Sequence, residues 1–319
     1  MTPPSPQSTC TVLLFHANGS LSDWPLPAVP PAHVVDQPAS LLSSIDEHCP
    51  DVLLMAVDQN TLKDASELGR LIHDIRIGHP HLPMAWLTNQ PLDAYIRPAK
   101  KLGITHVLAG ASPFTPRQIE QLITHLRNPL SAFGIQGYLS KGTTQLITRI
   151  TNSAGIMDTF QSFRELLTSA GFTRVHDVMT AVIEAMTNAV YHVAQNDDGS
   201  LKYEKGQQID ALAENEIVTV SHGMDEDTIA ISISDQGGRI TTEEILYWLD
   251  RNAGGKNLMD THGRGVYLMY ALVDRVIINI RPGAQTEIIM LCNRQGVEPA
   301  DADTTPRSLM INVVPGAPA

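Results

Sequence analysis

The chain of 319 residues is long enough for two domains, each able to bury a core. Apolar residues make up 43% and aromatics only 5%, so any core must rest on Leu, Ile, Val and Met. The formal charge is −12, with eight basic and eleven acidic side chains (a net of −3) in residues 1–128 and the remaining −9 beyond, so neither half offers the basic face that binding a phosphate backbone needs, and nucleic acid is not an expected partner.

In the first half, apolar runs alternate with amphipathic ones. Residues 1–9 are rich in Pro, Ser and Thr. Cys10–Phe15 reads as a short buried strand, and Val34-Val35 as a second strand after a Pro-rich loop. Pro38–Ile45 reads as a helix. Asp51-Val-Leu-Leu-Met-Ala-Val57 is a continuous apolar run, the pattern of a strand covered on both faces. Leu62–Ile77 is helical, with Leu68, Leu71, Ile72 and Ile75 on one side. Pro83–Leu87 predicts a strand, Pro91–Leu102 a helix, His106–Ala109 a fifth strand and Pro116–Leu126 a closing helix. Such alternation over about 120 residues implies a doubly wound parallel sheet of the flavodoxin-like kind.

In pattern more than in residues, this half resembles a response-regulator receiver domain. Pro50-Asp-Val-Leu-Leu precedes the place of the phosphoacceptor, and Gly103-Ile-Thr-His-Val-Leu-Ala precedes Pro113-Phe114. The receiver chemistry is missing. His16, Ala17 and Asn18 stand where metal-binding acids belong, Ala56 stands at the acceptor position, and Ser112 replaces the lysine, while Thr88 matches the expected hydroxyl. Without those groups an acyl phosphate has little to stabilise it. The resemblance therefore implies a pseudo-receiver that serves docking or dimerisation, with Asp58, two residues beyond Ala56, as a poorly placed candidate phosphoacceptor. This half also holds eight of the twelve histidines, but His79-Pro-His81 fits no common metal spacing and reads as surface or loop.

Asn128-Pro-Leu-Ser-Ala-Phe-Gly134 breaks the last helix and reads as a linker or bridging turn, with Phe133–Leu139 able to lie against either half. Gln145–Ile150 alternates as a strand, and Ile156–Leu167 is a helix with Ile156, Phe160, Phe163 and Leu167 on one face. The helix at Val178–Val193 carries an apolar stripe of Val178, Val182, Ala185, Met186, Ala189 and Val193. Glu184 and Asn188 stand one turn apart and point away from that stripe. A carboxylate there can accept a proton from a hydroxyl, and the carboxamide oxygen suits Mg²⁺. On its own the pair reads first as two ordinary polar residues on a solvated helix face.

The polar segment Gln195–Gly206 is longer than a tight hairpin requires and reads as an inserted turn or a short hairpin beside the site. Ile217–His222 and Thr228–Ser234 form two antiparallel strands, the second ending in Asp235-Gln-Gly237-Gly. Glycines there admit a flat ligand, and Asp235 can accept from an exocyclic amine. Gly263-Arg264-Gly265 opens an apolar helix whose free N–H groups suit phosphates.

In order and spacing these boxes resemble the GHKL (Bergerat-fold) ATPases, closest to the anti-sigma-factor serine kinases of bacterial partner-switching systems. The matches are Glu184-Ala-Met-Thr-Asn188-Ala with His192 beyond, Asp235 with Gly237, Gly263 with Gly265, and the ending Val276–Ile280, Gly283-Ala-Gln-Thr286, Glu287–Leu291. The resemblance covers about residues 143–293 and implies an α/β two-layer sandwich that binds ATP and Mg²⁺. It implies Glu184 as catalytic base, Asn188 as Mg²⁺ ligand, and Asn188, Asp235, Gly237, Gly263, Arg264, Gly265, Lys256 and Thr286 around the nucleotide. Thr241–Met259 is then the lid over the phosphates, in which Lys256 either meets the γ-phosphate or stays a solvated loop lysine. Arg239 stands where many relatives carry glycine, and either narrows the pocket or reaches the phosphates. The expected activity is serine/threonine phosphorylation or ATP hydrolysis, with a STAS-type antagonist or a sigma factor as partner and a homodimer as a common state of such proteins. The alternative is a module that binds without catalysis. A histidine kinase fits less well, because His176-Asp177 lies on the same helix as Glu184 and the family motif there begins with Asn.

The expected organisation is a receiver-like domain at 1–128, a linker at 129–142, an ATP-binding domain at 143–296 and a tail at 297–319 whose cluster Leu309–Val314 adds an edge strand or stays free. Cys10, Cys49 and Cys292 lack paired spacing, which argues against disulfides and zinc. No apolar run approaches the roughly 20 residues of a membrane span. The first residues lack the charged and apolar regions of a signal peptide, so the expected location is the cytoplasm.

Overall fold

A computed structural model describes residues 10–16, 32–63, 65–111, 114–196, 198–253, 264–294 and 305–314. The first half alternates as β1 (Val12–His16), β2 (Ala32–Val35), α1 (Pro38–His48), β3 (Val52–Ala56), α2 (Gln59–Lys63), α3 (Ala65–Gly78), β4 (Met84–Thr88), α4 (Leu92–Leu102), β5 (His106–Ala109) and α5 (Pro116–Arg127). All five residues of β3 are buried, as its unbroken apolar run requires. α4 stops where Gly103 takes φ 60°, and α5 starts on a capping box between Thr115 and Gln118.

Two short 3₁₀ turns follow, at Pro129–Ala132 and Ile135–Tyr138. The second half then runs β6 (Gln145–Ile150), α6 (Ala154–Ser169), α7 (Val175–Tyr191), β7 (Val218–Met224), β8 (Thr228–Asp235), α8 (Thr242–Asn252), α9 (Arg264–Leu272), β9 (Arg275–Arg281), β10 (Gln285–Asn293) and β11 (Ser308–Val313).

The described strands form one mixed sheet in the order β2-β1-β3-β4-β5-β11-β9-β10-β8-β7-β6. The first five pair in parallel, and β9, β10, β8, β7 and β6 pair antiparallel. β11 joins the two sets. It runs parallel to β9 from Ser308↔Arg275 to Val313↔Ile280, and antiparallel to β5 at Leu309↔Val107 and Met310↔His106. The cluster at 309–314 is therefore neither an edge strand nor free, but an interior strand. The physical reason is that β5 and β9 would otherwise each present an unpaired row of backbone donors and acceptors. Ser308 seals the joint, its Oγ accepting from Ala109 N and donating to Ala109 O, both at 3.0 Å.

Helices α1, α3, α4, α6, α7, α8 and α9 cover one face of this sheet in a continuous apolar core. On the other face, α5 and the residues after it cover strands of both halves. Ile135, Tyr138 and Leu139 pack in one cluster with Leu108, Ala230, Ile277, Ile289 and Met310. The segment expected as a linker thus lies against the shared sheet, with Ala132, Ile135, Tyr138 and Leu139 buried.

Beneath that segment, one polar side chain from each of five neighbouring strands joins a buried line. His106 Nε2 meets Asn312 Oδ1 at 2.8 Å, and Asn312 Nδ2 donates to Asn279 Oδ1 at 2.8 Å. Asn279 Nδ2 donates to Glu287 Oε2 at 3.0 Å and to Ala132 O at 2.8 Å, and Ser232 Oγ donates to Glu287 Oε1 at 2.6 Å. Gly134 N–H donates to both Glu287 oxygens, at 3.2 and 3.0 Å. A buried carboxylate of this kind is tolerable only because each of these donors reaches it.

Asn279→Ala removes the centre of the line and leaves Glu287 and Asn312 each short of a partner. The expected loss is about 1–3 kcal/mol, read as a lower urea midpoint. A second consequence concerns pH. Burial lowers the pKa of His106 and lowers that of His125 to about 4. The unfolded chain, titrating near 6.5, takes up these protons first, so stability is full above about pH 6.5 and falls as pH drops toward about 4. Urea midpoints measured between pH 8 and pH 4 check this, and His125→Gln should flatten the slope.

Candidate functional site

α7 is held by a broad buried face of Val178, Met179, Ala181, Val182, Ala185, Met186, Ala189 and Val190. Its opposite side carries Glu184 and Asn188, both half-buried. α9 packs along α7, and its second residue, Gly265, faces these two side chains. A Cβ added at Gly265 would meet Glu184 Oε1 and lie 2.7 Å from Asn188 Nδ2. Only glycine lets the first turn of α9 come this close to the carboxylate and the carboxamide.

Asp235 closes β8 and is 8% exposed. Its Oδ1 accepts from Gly237 N at 2.8 Å. Burial pushes its carboxyl up to about 6, against the pull of the N–H groups of Gly237, Gly238 and Thr286 and the charge of Arg239. A carboxylate kept in a desolvated place is a frequent mark of a functional site. Thr286 is buried on β10 and pairs directly with Asp235 across the ladder. A Cβ at Gly237 would strike Val193 Cγ1, just past the end of α7. Gly238, with φ 57°, abuts the backbone of the Arg281–Gln285 turn, where a Cβ would lie 2.6 Å from Ala284 N. Gly238 is a second required glycine in this box.

The structure therefore brings Glu184, Asn188 and Gly265 into contact, and separately Asp235, Gly237 and Thr286. Both sets adjoin α7, one along its polar face and one through Val193 at its C-terminal end. Arg264 is the first residue of α9. Lys256 and Gly263 lie outside the described residues. Asp58 is not part of this constellation. Its Oδ1 caps α2, accepting from Thr61 N at 2.8 Å and Thr61 Oγ1 at 2.7 Å. Thr88 Oγ1 is likewise spent on backbone, donating to Val57 O at 2.7 Å.

One residue escaped the motif reading. Lys205 Nζ lies 3.5 Å from Glu184 Oε2. It sits in the polar segment that its length alone had marked, and no spacing rule picks a lysine there. Among the described residues no group of three or more His, Cys, Asp or Glu could hold a metal. A metal here would take Asn188 Oδ1 and draw its remaining ligands from phosphate and water, which suits Mg²⁺. Gly265 faces Asn188 Nδ2, so the amide oxygen is the atom left for such an ion. No helix among the described residues is long and apolar enough to cross a membrane.

Residues 150–292 match the family of histidine kinase-like ATPase domains. A serine-protein kinase RsbW of Bacillus pumilus is 29% identical over 143 residues, which is 42% of this chain and 74% of that protein. The RsbW of Bacillus licheniformis is 28% identical over 126 residues, 39% of this chain and 69% of its own. A solved structure of RcsB from Salmonella enterica serovar Typhimurium, bound to promoter rprA with a phosphomimetic, aligns with 60% of this chain and 96% of its own. Its identity is 14% and its TM-score 0.28, too low to bear on the fold.

Gly265→Ala tests the close approach of α9 to α7. Alanine is the better helix former by about 1 kcal/mol, yet its methyl group must displace Glu184 and Asn188. A net loss of about 1–3 kcal/mol is expected in urea unfolding, against the gain that propensity alone predicts.

Proposed function

We propose that this chain is a cytoplasmic signalling protein whose ATPase domain binds ATP with Mg²⁺ and phosphorylates serine or threonine on a protein partner. The observation that carries this reading is the contact of Gly265 with Glu184 and Asn188, which sets an acid and an amide against the N-terminus of α9. The N–H groups and positive dipole end of that helix suit the phosphates. Asp235 accepts the exocyclic amine of adenine, with Gly237, Gly238 and Thr286 shaping the space around it. Asn188 holds Mg²⁺, which offsets charge on the phosphate oxygens. Gly263, Arg264 and Lys256 are assigned to the phosphates.

Glu184 orients the attacking hydroxyl and takes its proton as the new O–P bond forms to the γ-phosphorus. The bridging P–O bond breaks and ADP leaves with its electron pair. Catalysis of this kind is mostly positioning and charge neutralisation.

The N-terminal domain, at about 1–128, is read as a receiver-like module without a working phosphoacceptor. Its parallel order β2-β1-β3-β4-β5 supports the flavodoxin-like reading. Asp58, committed to capping α2, supports a docking role over a phosphorylated one. Regulation runs through α4, which packs on α8 in the interval assigned to the lid. Arg97 Nε and Lys100 Nζ reach the Asp250 carboxylate at 3.2 and 3.1 Å, and Lys100 lies over the Tyr247 ring. A STAS-type antagonist or a sigma factor is the proposed partner, and a homodimer the proposed assembly.

Asp235→Asn is expected to abolish ATP binding in isothermal titration while keeping or raising the urea midpoint at pH 7, because a carboxyl pushed up by burial is costly when ionised. Glu184→Ala should keep ATP affinity and lose turnover by at least about a hundredfold. Turnover at the wild-type rate in Glu184→Ala would remove the assigned base. Binding without turnover in the unaltered protein would assign the non-catalytic module instead.

A further inference from the structure

The polar segment after α7 is built, and what it delivers is a single lysine. Its start closes on itself through the bridge Gln195↔Leu201 and the bonds Asn196 N to Ser200 O and Gly199 N to Asn196 O, both 2.9 Å. Its second part is anchored on both sides of Lys205. Before it, Lys202 Nζ and Tyr203 OH donate to the two carboxylate oxygens of Glu216, at 2.5 and 2.8 Å. After it, Gln207 O accepts from Tyr191 OH at 2.9 Å, at the end of α7 itself. Glu204 N donates to Gln207 Oε1 at 3.0 Å and Gln207 N to Glu204 O at 2.9 Å, so the chain turns tightly around Lys205. Gly206 makes that turn with φ 88°, a left-handed value that only glycine adopts without strain. The outcome is Lys205 Nζ 3.5 Å from Glu184 Oε2, on a carboxylate whose other oxygen faces Gly265.

We propose that Lys205 is a positioning residue for Glu184, holding its carboxylate in the orientation that meets the attacking hydroxyl; this rests on the kinase or ATPase reading above. The pair is open to solvent, with Lys205 more than half exposed, so it adds little to stability. Its effect is on geometry, to which the rate is far more sensitive than the fold. Glu184 has three side-chain torsions; Gly265 bounds one carboxylate oxygen and Lys205 biases the position of the other.

The test combines kinetics with a readout that does not depend on turnover. In the full chain, Lys205→Met should lower kcat about tenfold with ATP affinity within about twofold, and Lys205→Arg should restore most of the loss. Gly206→Val, which disturbs the turn and leaves Lys205 in place chemically, should mimic Lys205→Met. Independently, the acylation rate of the Lys205 amine, followed by mass spectrometry with acetic anhydride, should rise several-fold in Glu184→Gln. An unchanged kcat in Lys205→Met overturns the proposal. So does a parallel loss of ATP affinity, which would make Lys205 a phosphate ligand. An unchanged acylation rate in Glu184→Gln shows that the pair does not form and overturns it even in a protein that binds ATP without turnover, whereas a changed rate in such a protein upholds the pair and removes only the catalytic reading.

Discussion

The missing side chain of Gly265 is the constraint on which the site depends. It lets the start of α9 come against the polar side of α7, where Glu184 and Asn188 stand one turn apart. Everything else about α7 serves to hold that side outward. Its buried face is wide, from Val178 to Tyr191, and packs into the core. The result is an acid, an amide and the first described turn of α9 gathered within contact distance.

A second constraint joins this site to the rest of the molecule. β11, from the end of the described chain, lies between β5 and β9 and makes one sheet of two sets of strands. The line from His106 to Ser232 crosses that joint with buried hydrogen bonds, and residues 132–139 cover it. On the opposite face, the hydroxyls of Tyr95 on α4 and Tyr270 on α9 lie 2.7 Å apart, and both reach the Arg307 carbonyl, at 2.8 and 2.7 Å. Arg307 in turn donates to Val273 O at 2.6 Å, next to Asp274, which binds Arg174 at the head of α7. The helices that carry the site are thus held by polar contacts that run into the N-terminal half, from α4 to both α8 and α9.

Much of this was legible in the sequence because it is local. Periods of two and 3.6 mark β8 and α7, and the four-residue spacing of Glu184 and Asn188 is a property of any helix. The Asp235 and Gly265 boxes announce themselves by glycine next to chemistry. What sequence could not give was non-local. The run Leu309-Met-Ile-Asn-Val-Val314 reads as a strand, but nothing in it names β5 and β9 as neighbours. Asn279, Glu287 and Asn312 look like unremarkable polar residues in apolar strands until the register sets them in line. Asp58 reads as an acid near an acceptor position, and only the fold shows Thr61 engaging its carboxylate. Lys205 is one lysine in a polar loop, and its approach to Glu184 depends on anchors at Glu216 and Tyr191.

Where a nucleotide sits decides whether α7 and α9 form the site. A crystal structure of the full chain with a non-hydrolysable ATP analogue and Mg²⁺ is the direct measurement. The account predicts the triphosphate at the first turn of α9, Mg²⁺ against Asn188 Oδ1 and the adenine amine on Asp235. A nucleotide bound elsewhere, such as the cleft of about 650 Å³ between α4 and α8, with Gly265 still closed on Glu184 and Asn188, would contradict it.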